Sequence, residues 1–209
     1  RPILRRDQWL NLNGRWDFFA GNTNQDPLRA IVSEENWTQN IVVPFAPNSQ
    51  SSGVVLEDEP SFVAYRREFD LPAWNEKQVF LNIGASDYAT TVFINSQNVG
   101  KHTGGYTPFS FCLTPYLKPQ RNTLIIVVED SDSWQQPRGK QAGTTRWPID
   151  YDPIIGIWQT VWLEPKSNLY LSAIRNHFSL DSGSIFFTYQ LSKPTAAEIS
   201  TVLRLDGKE

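Results

Sequence analysis

The chain has 209 residues, enough for one well-cored β domain of ordinary size and part of another. Its net charge of −3 comes without a basic run, which excludes an electrostatic surface for nucleic acid or for an anionic membrane. No segment approaches the roughly 20 apolar residues of a membrane span, and the single cysteine, Cys112, excludes an internal disulfide.

Aromatic side chains make up 13% of the sequence and include eight tryptophans. This share is high for so polar a chain, and flat amphipathic rings suit ligands with apolar faces, such as sugars. The chain begins R-P-I-L-R-R, without the apolar run of a signal peptide, and contains no methionine. The absence of methionine indicates a processed, trimmed or excerpted protein. The high aromatic share indicates that some of the rings lie at a binding surface.

Short β-strands separated by turns are predicted for the first third of the chain. An Asn-Gly turn precedes a strand that begins with Trp16 and Phe18, and residues 41–43 form a short buried strand that a proline ends. Residues 62–70 alternate apolar and charged side chains, as in a strand with one exposed face. The polar loop at residues 45–59 is a candidate functional surface.

The same pattern continues through the middle of the chain. A hairpin turn is predicted at residues 95–98, a glycine-rich turn at 102–108, and a brief helical turn with Thr114 as its N-cap. Further strands are predicted at residues 79–83, 88–94, 109–113 and 124–128. The last of these is a β-branched apolar run typical of a central strand.

Residues 150–165 organise the region that follows. Alternation in their second half predicts a strand with two largely apolar faces, and therefore a covered strand. One face carries Ile157, Val161 and Leu163, and the other carries Trp158, Thr160 and Trp162. The preceding residues 131–152 are polar but rich in aromatic and charged side chains, which favours a functional loop over a linker.

The spacing of strands and turns, with almost no helical periodicity, predicts an all-β, jelly-roll β-sandwich for residues 1–166. Residues 165–168 have the composition of a joint. Three more strands are predicted beyond it, at residues 169–178, 184–192 and 198–205. Because three strands seldom form a stable sandwich and residues 206–209 resemble a turn entering another strand, we expect residues 167–209 to be a truncated second domain.

Eight segments, in order along the chain, resemble the N-terminal sugar-binding domain of glycoside hydrolase family 2, the group of β-galactosidases, β-glucuronidases and β-mannosidases. They are L-N-G-R-W-D-F at 12–18, V-P-F at 43–45, Y-R-R-E-F at 65–69, V-F-I-N at 92–95, H-T-G-G-Y-T-P-F at 102–109, N-T-L at 122–124, Q-P-R-G-K-Q at 136–141 and G-I-W-Q-T-V-W-L-E-P at 156–165. This resemblance implies a galactose-binding-domain-like jelly roll at residues 1–166 and the start of an immunoglobulin-like β-sandwich at residues 167–209.

The resemblance also implies a β-glycosidase as the parent protein, with a carbohydrate as its partner. Retaining glycosidases use two carboxyl groups about 5 Å apart. In family 2 both belong to glutamates of a later (β/α)₈ barrel, so this chain is expected to lack catalytic residues and to be inactive alone. It would pack on that barrel and could form homo-oligomers. No cofactor or metal is expected, and a periplasmic or secreted location is favoured over a cytoplasmic one.

The resemblance suggests four sugar-binding residues. Counting back from Gly156 places Asp150 where β-glucuronidase-like members present an aspartate to the sugar, and Asn48 lies where members contribute an asparagine after V-P. Trp147 or Tyr151 could stack on a sugar face. Two alternatives remain open: Asp150 or Asp152 could instead cap a turn before Pro153, and both rings could simply pack at an interface.

Other chemistry-bearing residues have a structural interpretation. Arg66, Arg67 and Glu68 are expected to form a cross-strand ion pair, and His102 to be a turn residue. Cys112 is expected to be a small packed thiol. The carboxylates Glu129, Asp130 and Asp132 are interpreted as solvated loop groups, because the glycine and distal glutamate of a calcium loop are missing.

Two classes of function follow. One is a non-catalytic domain of a family 2 glycosidase that lines the sugar pocket, and the other is a free-standing carbohydrate-binding or adhesion module. The end of the chain inside a new domain favours the first. That interpretation also predicts an apolar patch, at the Trp158 and Trp162 face or at the Trp147 loop, that covers another domain.

Overall fold

The computed structural model describes residues 6–56, 58–74, 77–131, 133, 135–141 and 147–204. The chain divides into two compact units, Arg1–Lys166 and Ser167–Glu209. In chain order the strands are β1 (Leu10–Asn11), β2 (Gly14–Gly21), β3 (Gln39–Val43), β4 (Phe62–Phe69), β5 (Gln78–Ile83), β6 (Ser86–Asp87), β7 (Ala89–Ile94), β8 (Gln97–Thr103), β9 (Phe109–Cys112), β10 (Asn122–Glu129), β11 (Gly156–Ile157), β12 (Val161–Lys166), β13 (Leu171–Ser179) and β14 (Ser184–Leu191).

Helix is limited, in the described residues, to one turn of α-helix and three 3₁₀ turns. The α-helix, α1, spans Pro27–Ala30. The 3₁₀ turns are Glu34–Asn36, Gln50–Ser52 and Thr114–Tyr116. None of these helices has the length or apolarity needed to cross a membrane.

Two antiparallel sheets form the first unit. The larger has the strand order β3, β2, β4, β10, β7, β8, and the smaller has the order β1, β12, β5, β9. Strand β10 is central, because it pairs with β4 on one side and with β7 on the other. A separate pair, β11 with β6, joins Gly156 to Asp87 in register. The predicted all-β sandwich is confirmed.

The main core lies between the two sheets and contains alternate residues of most strands. Trp16 and Phe18 each meet Tyr65 edge to face, and the Nε1 of Trp16 donates to the carbonyl of Leu12 at 2.7 Å. Full burial of each such large apolar side chain contributes about 1.5–3 kcal/mol to folding. These ring contacts join β2 to its neighbour β4 on the core face of the larger sheet.

A second, smaller core covers part of the outer face of the larger sheet. It contains Phe19, Ala30, Phe62, Ala64 and Val127. Strand β4 is consequently buried on both faces over its first four residues and exposed on one face only later. The prediction of one exposed face along the whole strand was wrong, because α1 and the loop after it cover its beginning.

Three further predictions about local structure were wrong. The predicted strand over residues 157–163 is interrupted, since β11 ends at Ile157 and β12 begins at Val161. The hairpin turn is shorter than predicted, with Asn95 and Ser96 in the left-handed region before β8. Thr114 does not cap its turn; its Oγ1 instead accepts a hydrogen bond from the N–H of Val79 at 2.8 Å.

The Trp158 and Trp162 face is not an open patch. Trp162 is only 3% exposed, and its Nε1 donates to Glu164 Oε1 at 2.9 Å. The other carboxylate oxygen of Glu164 accepts a hydrogen bond from Arg6 at 2.8 Å. Trp162 is therefore buried, and its predicted exposure was wrong.

The second unit is a hairpin of β13 and β14, with a register shift between Leu171 and Ala173. The third strand predicted at residues 198–205 is not formed in its described part, 198–204. Apolar side chains of this unit, including Phe178, Leu180 and Phe186, are exposed. The predicted turn at 206–209 lies outside the described residues.

Candidate functional site

A cleft of about 330 Å³ opens where β4 begins and β10 ends. Its walls come from three segments that are distant in sequence: the loop after β2, the loop between β3 and β4, and the long loop between β10 and β11. The lining residues are Thr23, Pro47, Asn48, Leu56, Glu59, Pro60, Ser61, Asp130, Ser131, Arg138, Gln141, Pro153, Ile154 and Ile155. A mixed wall of this kind can pack an apolar ligand face and hydrogen-bond its polar groups.

Asn48 lines this cleft and also shapes its wall. Its backbone is in the left-handed region, at φ 67°, which asparagine tolerates better than most residues. Its N–H donates to the carbonyl of Val54 at 3.0 Å, and its Oδ1 accepts from the N–H of Leu56 at 2.6 Å. The side chain therefore closes the loop over residues 48–56.

Asp150 and Trp147 form a closed turn. The backbone N–H of Trp147 donates to Asp150 Oδ2 at 2.8 Å, and the N–H of Asp150 donates to the carbonyl of Trp147 at 2.9 Å. The side chain and the backbone of Asp150 thus both hold the turn at residues 147–150. A carboxylate has about four acceptor positions, so this contact leaves capacity for ligand hydroxyls.

The same turn presents apolar side chains to solvent. Trp147, Ile149 and Tyr151 are 66%, 68% and 63% exposed. The backbone N–H of Tyr151 donates a hydrogen bond to the carbonyl of Lys140 at 2.8 Å. Of the predicted exposed surfaces, the Trp147 loop is the one that the structure leaves open.

The four predicted sugar-binding residues thus fall into two groups. Trp147, Asp150 and Tyr151 share one turn, whereas Asn48 belongs to the cleft wall. Trp147, Asp150 and Tyr151 are not among the described residues that line the cleft. Pro153, Ile154 and Ile155 connect the two groups, because they follow the turn directly and form part of the cleft.

Asp87 is a buried carboxylate that the sequence analysis missed. It is 3% exposed and lies at the end of β6, with its carboxylate against Gly105 and the Nε2 of Gln141 donating to its Oδ2 at 3.3 Å. Burial raises the pKa of Asp87 to about 6; the Gln141 hydrogen bond opposes this shift and the charge of Asp130 adds to it. The only sequence signal was an acid in the otherwise small and apolar run G-A-S-D-Y-A.

Gln141 connects this buried carboxylate to the loop. Its Oε1 accepts a hydrogen bond from the N–H of Ile154 at 2.8 Å, while its Nε2 contacts Asp87. The residue also lines the cleft. One amide side chain therefore bonds both to the sandwich and to the segment that follows the Trp147 turn.

The residues interpreted as structural occupy other places. Arg66 forms an ion pair with Asp17 across the sheet at 3.0 Å and with Glu34 at 2.7 Å. His102 stacks on Phe109 with ring centroids 4.0 Å apart. Cys112 is a free, partly exposed thiol on β9.

Metal-ligating side chains do not cluster in the described part of the chain, where no group of three His, Cys, Asp or Glu could hold an ion. Asp132, the second aspartate of the predicted solvated carboxylates, lies outside the described residues, as do Trp134 and Arg146 of the long loop.

Comparison with known proteins decides the family. Residues 10–164 match the profile described as "Glycosyl hydrolases family 2, sugar binding domain". The chain belongs to glycosyl hydrolase family 2. The resemblance drawn from the eight sequence segments is therefore confirmed.

Relatives of this family 2 chain are larger proteins. It is 34% identical over 201 residues to a β-glucuronidase of Bacteroides fragilis, covering 96% of this chain and 26% of that protein. It is 27% identical over 205 residues to a β-galactosidase of Thermoanaerobacter pseudethanolicus, covering 96% of this chain and 25% of that protein. The chain spans about a quarter of the length of these two relatives.

Solved structures of family 2 share the fold. A β-glucuronidase of an uncultured Clostridium species superposes with a TM-score of 0.74 at 20% identity, covering 91% of this chain and 35% of that one. At this identity the likeness concerns the fold alone. The sandwich described above corresponds to a non-catalytic β domain of larger glycosidases.

Proposed function

We propose that this domain forms one wall of the sugar pocket of a retaining β-glycosidase. The observation that carries the proposal is one exposed turn that contains Trp147, Asp150 and Tyr151, within a domain of the sugar-binding family. Aromatic faces beside a carboxylate suit a sugar, because its C–H face packs on a ring while adjacent hydroxyls donate to the acid.

Each residue has a distinct role in this proposal. Asp150 accepts hydrogen bonds from two neighbouring hydroxyls of the sugar, and Trp147 or Tyr151 packs against its apolar face. Asn48 orders the cleft wall through Leu56 and contributes an amide to its surface. These groups bind and orient the substrate, and exclude water from its buried side.

Bond cleavage belongs elsewhere in the polypeptide. A retaining mechanism needs an acid/base carboxyl and a nucleophilic carboxylate on opposite sides of the glycosidic bond. In this family the two are glutamates of a (β/α)₈ barrel that follows the β domains. The 209-residue chain alone should therefore release no nitrophenol from a panel of nitrophenyl β-galactoside, β-glucuronide and β-mannoside.

The hairpin of β13 and β14 has a separate role in the proposal. We assign residues 167–209 to the beginning of an immunoglobulin-like domain, as in the family pattern. The exposed Phe178, Leu180 and Phe186 would be covered once the remaining strands of that domain are present. The other partners proposed are the barrel of the same polypeptide and a second copy of the enzyme.

The decisive experiment compares Asp150→Ala and Asp150→Asn in the complete polypeptide. Removal of two sugar hydrogen bonds should lower kcat/KM by about tenfold to a hundredfold. Asn keeps an acceptor for the Trp147 N–H, so a loss in Asp150→Asn identifies a ligand role beyond the turn. Asp152→Ala, two residues away, is the matched control. The same kcat/KM in all three variants would contradict the proposal.

A further inference from the structure

The loop between β10 and β11 is attached to the sandwich at its two ends by these strands, and near its middle by Gln141. Between Glu129, where β10 ends, and Gly156, where β11 begins, the described residues form no strand. A loop of this length needs internal contacts to hold a defined shape. Gln141 makes contacts of this kind.

The attachment at Gln141 has three parts. The carbonyl of Lys140 accepts from the N–H of Tyr151 at 2.8 Å, and Gln141 Oε1 accepts from the N–H of Ile154 at 2.8 Å. The Gln141 Nε2 then donates to Asp87 Oδ2 at 3.3 Å. Residues on both sides of the turn containing Trp147 and Asp150 are thus joined to one buried carboxylate.

Asp87 is itself held by close packing. It pairs with Gly156 in the β6–β11 ladder, and a Cβ atom on Gly105 would lie 2.2 Å from its Oδ1. Trp158 fixes the position of Gly105 by donating to its carbonyl at 2.8 Å. Asp130 is the charged neighbour that contributes to the field at this carboxylate. The acceptor for Gln141 therefore has little freedom to move.

We propose that Asp87 and Gln141 form a clamp: their hydrogen bond fixes the turn containing Trp147, Asp150 and Tyr151 against the sandwich, in the position from which the turn binds its ligand. Neither residue touches the sugar; both act through the hydrogen bonds that Lys140 and Gln141 accept from the backbone of Tyr151 and Ile154. The clamp follows from the hydrogen bonds alone, whereas its purpose in sugar binding rests on the proposed function. The clamp explains why a buried acid, Asp87, occurs in the run G-A-S-D-Y-A and why a glutamine, Gln141, ends the segment Q-P-R-G-K-Q.

The test exchanges donor and acceptor without changing side-chain shape. Gln141→Glu places a carboxylate opposite Asp87 and keeps an acceptor for the Ile154 N–H. Repulsion between the two carboxylates at pH 7.5 should release the loop. The double variant Asp87→Asn/Gln141→Glu restores a donor, now on residue 87, and should reform the clamp.

Amide hydrogen exchange of the 209-residue chain measures the outcome. Exchange of the Tyr151 and Ile154 amides should accelerate at least about tenfold in Gln141→Glu, equivalent to losing one hydrogen bond to a charged group, and return to within about threefold of wild type in the double variant. Gln135→Glu, an exposed change in the same loop, should leave these rates unchanged.

Three results would overturn the clamp: wild-type exchange in Gln141→Glu, failure of the double variant to restore protection, or equal acceleration in β4 and β10, which would indicate general destabilisation. Because exchange is measured without sugar, it is independent of the proposed function. Wild-type kinetics in the Asp150 variants together with the expected exchange pattern would reject the sugar role and leave the clamp.

Discussion

The phenol oxygen of Tyr65, buried between the sheets, accepts a hydrogen bond from the backbone N–H of Ile157 at 3.2 Å. This contact joins the middle of β4 to the short strand β11, 92 residues away in the chain. Burial raises the pKa of Tyr65, so the phenol stays neutral across the pH range of most experiments.

Removal of this phenol should destabilise the domain. Tyr65→Phe leaves the ring packing intact but deprives the Ile157 N–H of its acceptor, at a cost of about 1–2 kcal/mol. Urea unfolding followed by tryptophan fluorescence would measure the difference, which should be constant from pH 6 to pH 9. Tyr106→Phe, on an exposed ring, is the control and should unfold like wild type.

Gly156 allows the close approach of Tyr65. Its φ is +98°, and a Cβ atom there would lie 2.1 Å from the phenol oxygen and 3.0 Å from Val63 Cγ2. Gly156→Ala should therefore cost more than about 3 kcal/mol, from backbone strain plus overpacking. Gly53→Ala separates the two effects, because Gly53 has φ +74° but open space around it; it should cost about 1 kcal/mol. Equal costs for the two variants would mean that packing at Gly156 is unimportant.

Arg66 connects three surface elements and should contribute modestly to stability. Its guanidinium pairs with Asp17 and Glu34 and lies 4.6 Å from the ring centroid of Trp37. Arg66→Lys keeps the charge but lacks the planar guanidinium that pairs with both carboxylates at once. We therefore expect the free energy of unfolding to fall by about 0.5–1.5 kcal/mol. Thermal unfolding at low and at molar salt would test this, since the ion-pair share should shrink with salt. An unchanged Tm at low salt would contradict it.

The buried Asp87 should make stability depend on pH. Its pKa rises from 3.8 to about 6 on folding, so the folded state binds the proton more tightly than the unfolded chain. This contribution is complete below about pH 4 and is lost as the pH rises through 6. Relative to Asp87→Asn, the wild type should lose about 2–3 kcal/mol between pH 4 and pH 7.

Urea titrations of both proteins at intervals across that range measure the difference. The exposed Asp58→Asn serves as the control, and its stability curve should run parallel to that of the wild type. A constant offset between wild type and Asp87→Asn over the whole range would show that Asp87 titrates as an ordinary exposed acid.

Alternation and turn residues in the sequence were sufficient to predict most strands of the sandwich. Trp16 and Phe18, or Val79 and Leu81, are buried because every second side chain of a strand faces the same side. The apolar run at residues 124–128 indicated the central strand for the same reason, since a strand covered on both sides needs no polar face. Ordered family segments then indicated glycosyl hydrolase family 2 and drew attention to Asp150.

Tertiary structure alone decided which residues are buried by distant parts of the chain. The buried Trp162 donates to Glu164, which Arg6 reaches across 158 positions, and the start of β4 is covered because α1 packs outside the sheet. Asp87 contacts Gln141 across 54 positions. Local sequence patterns report which side of a strand a residue faces, but not what the folded chain places against it. The sequence therefore determined the family and most of the strands, while long-range packing decided which polar groups support the candidate site.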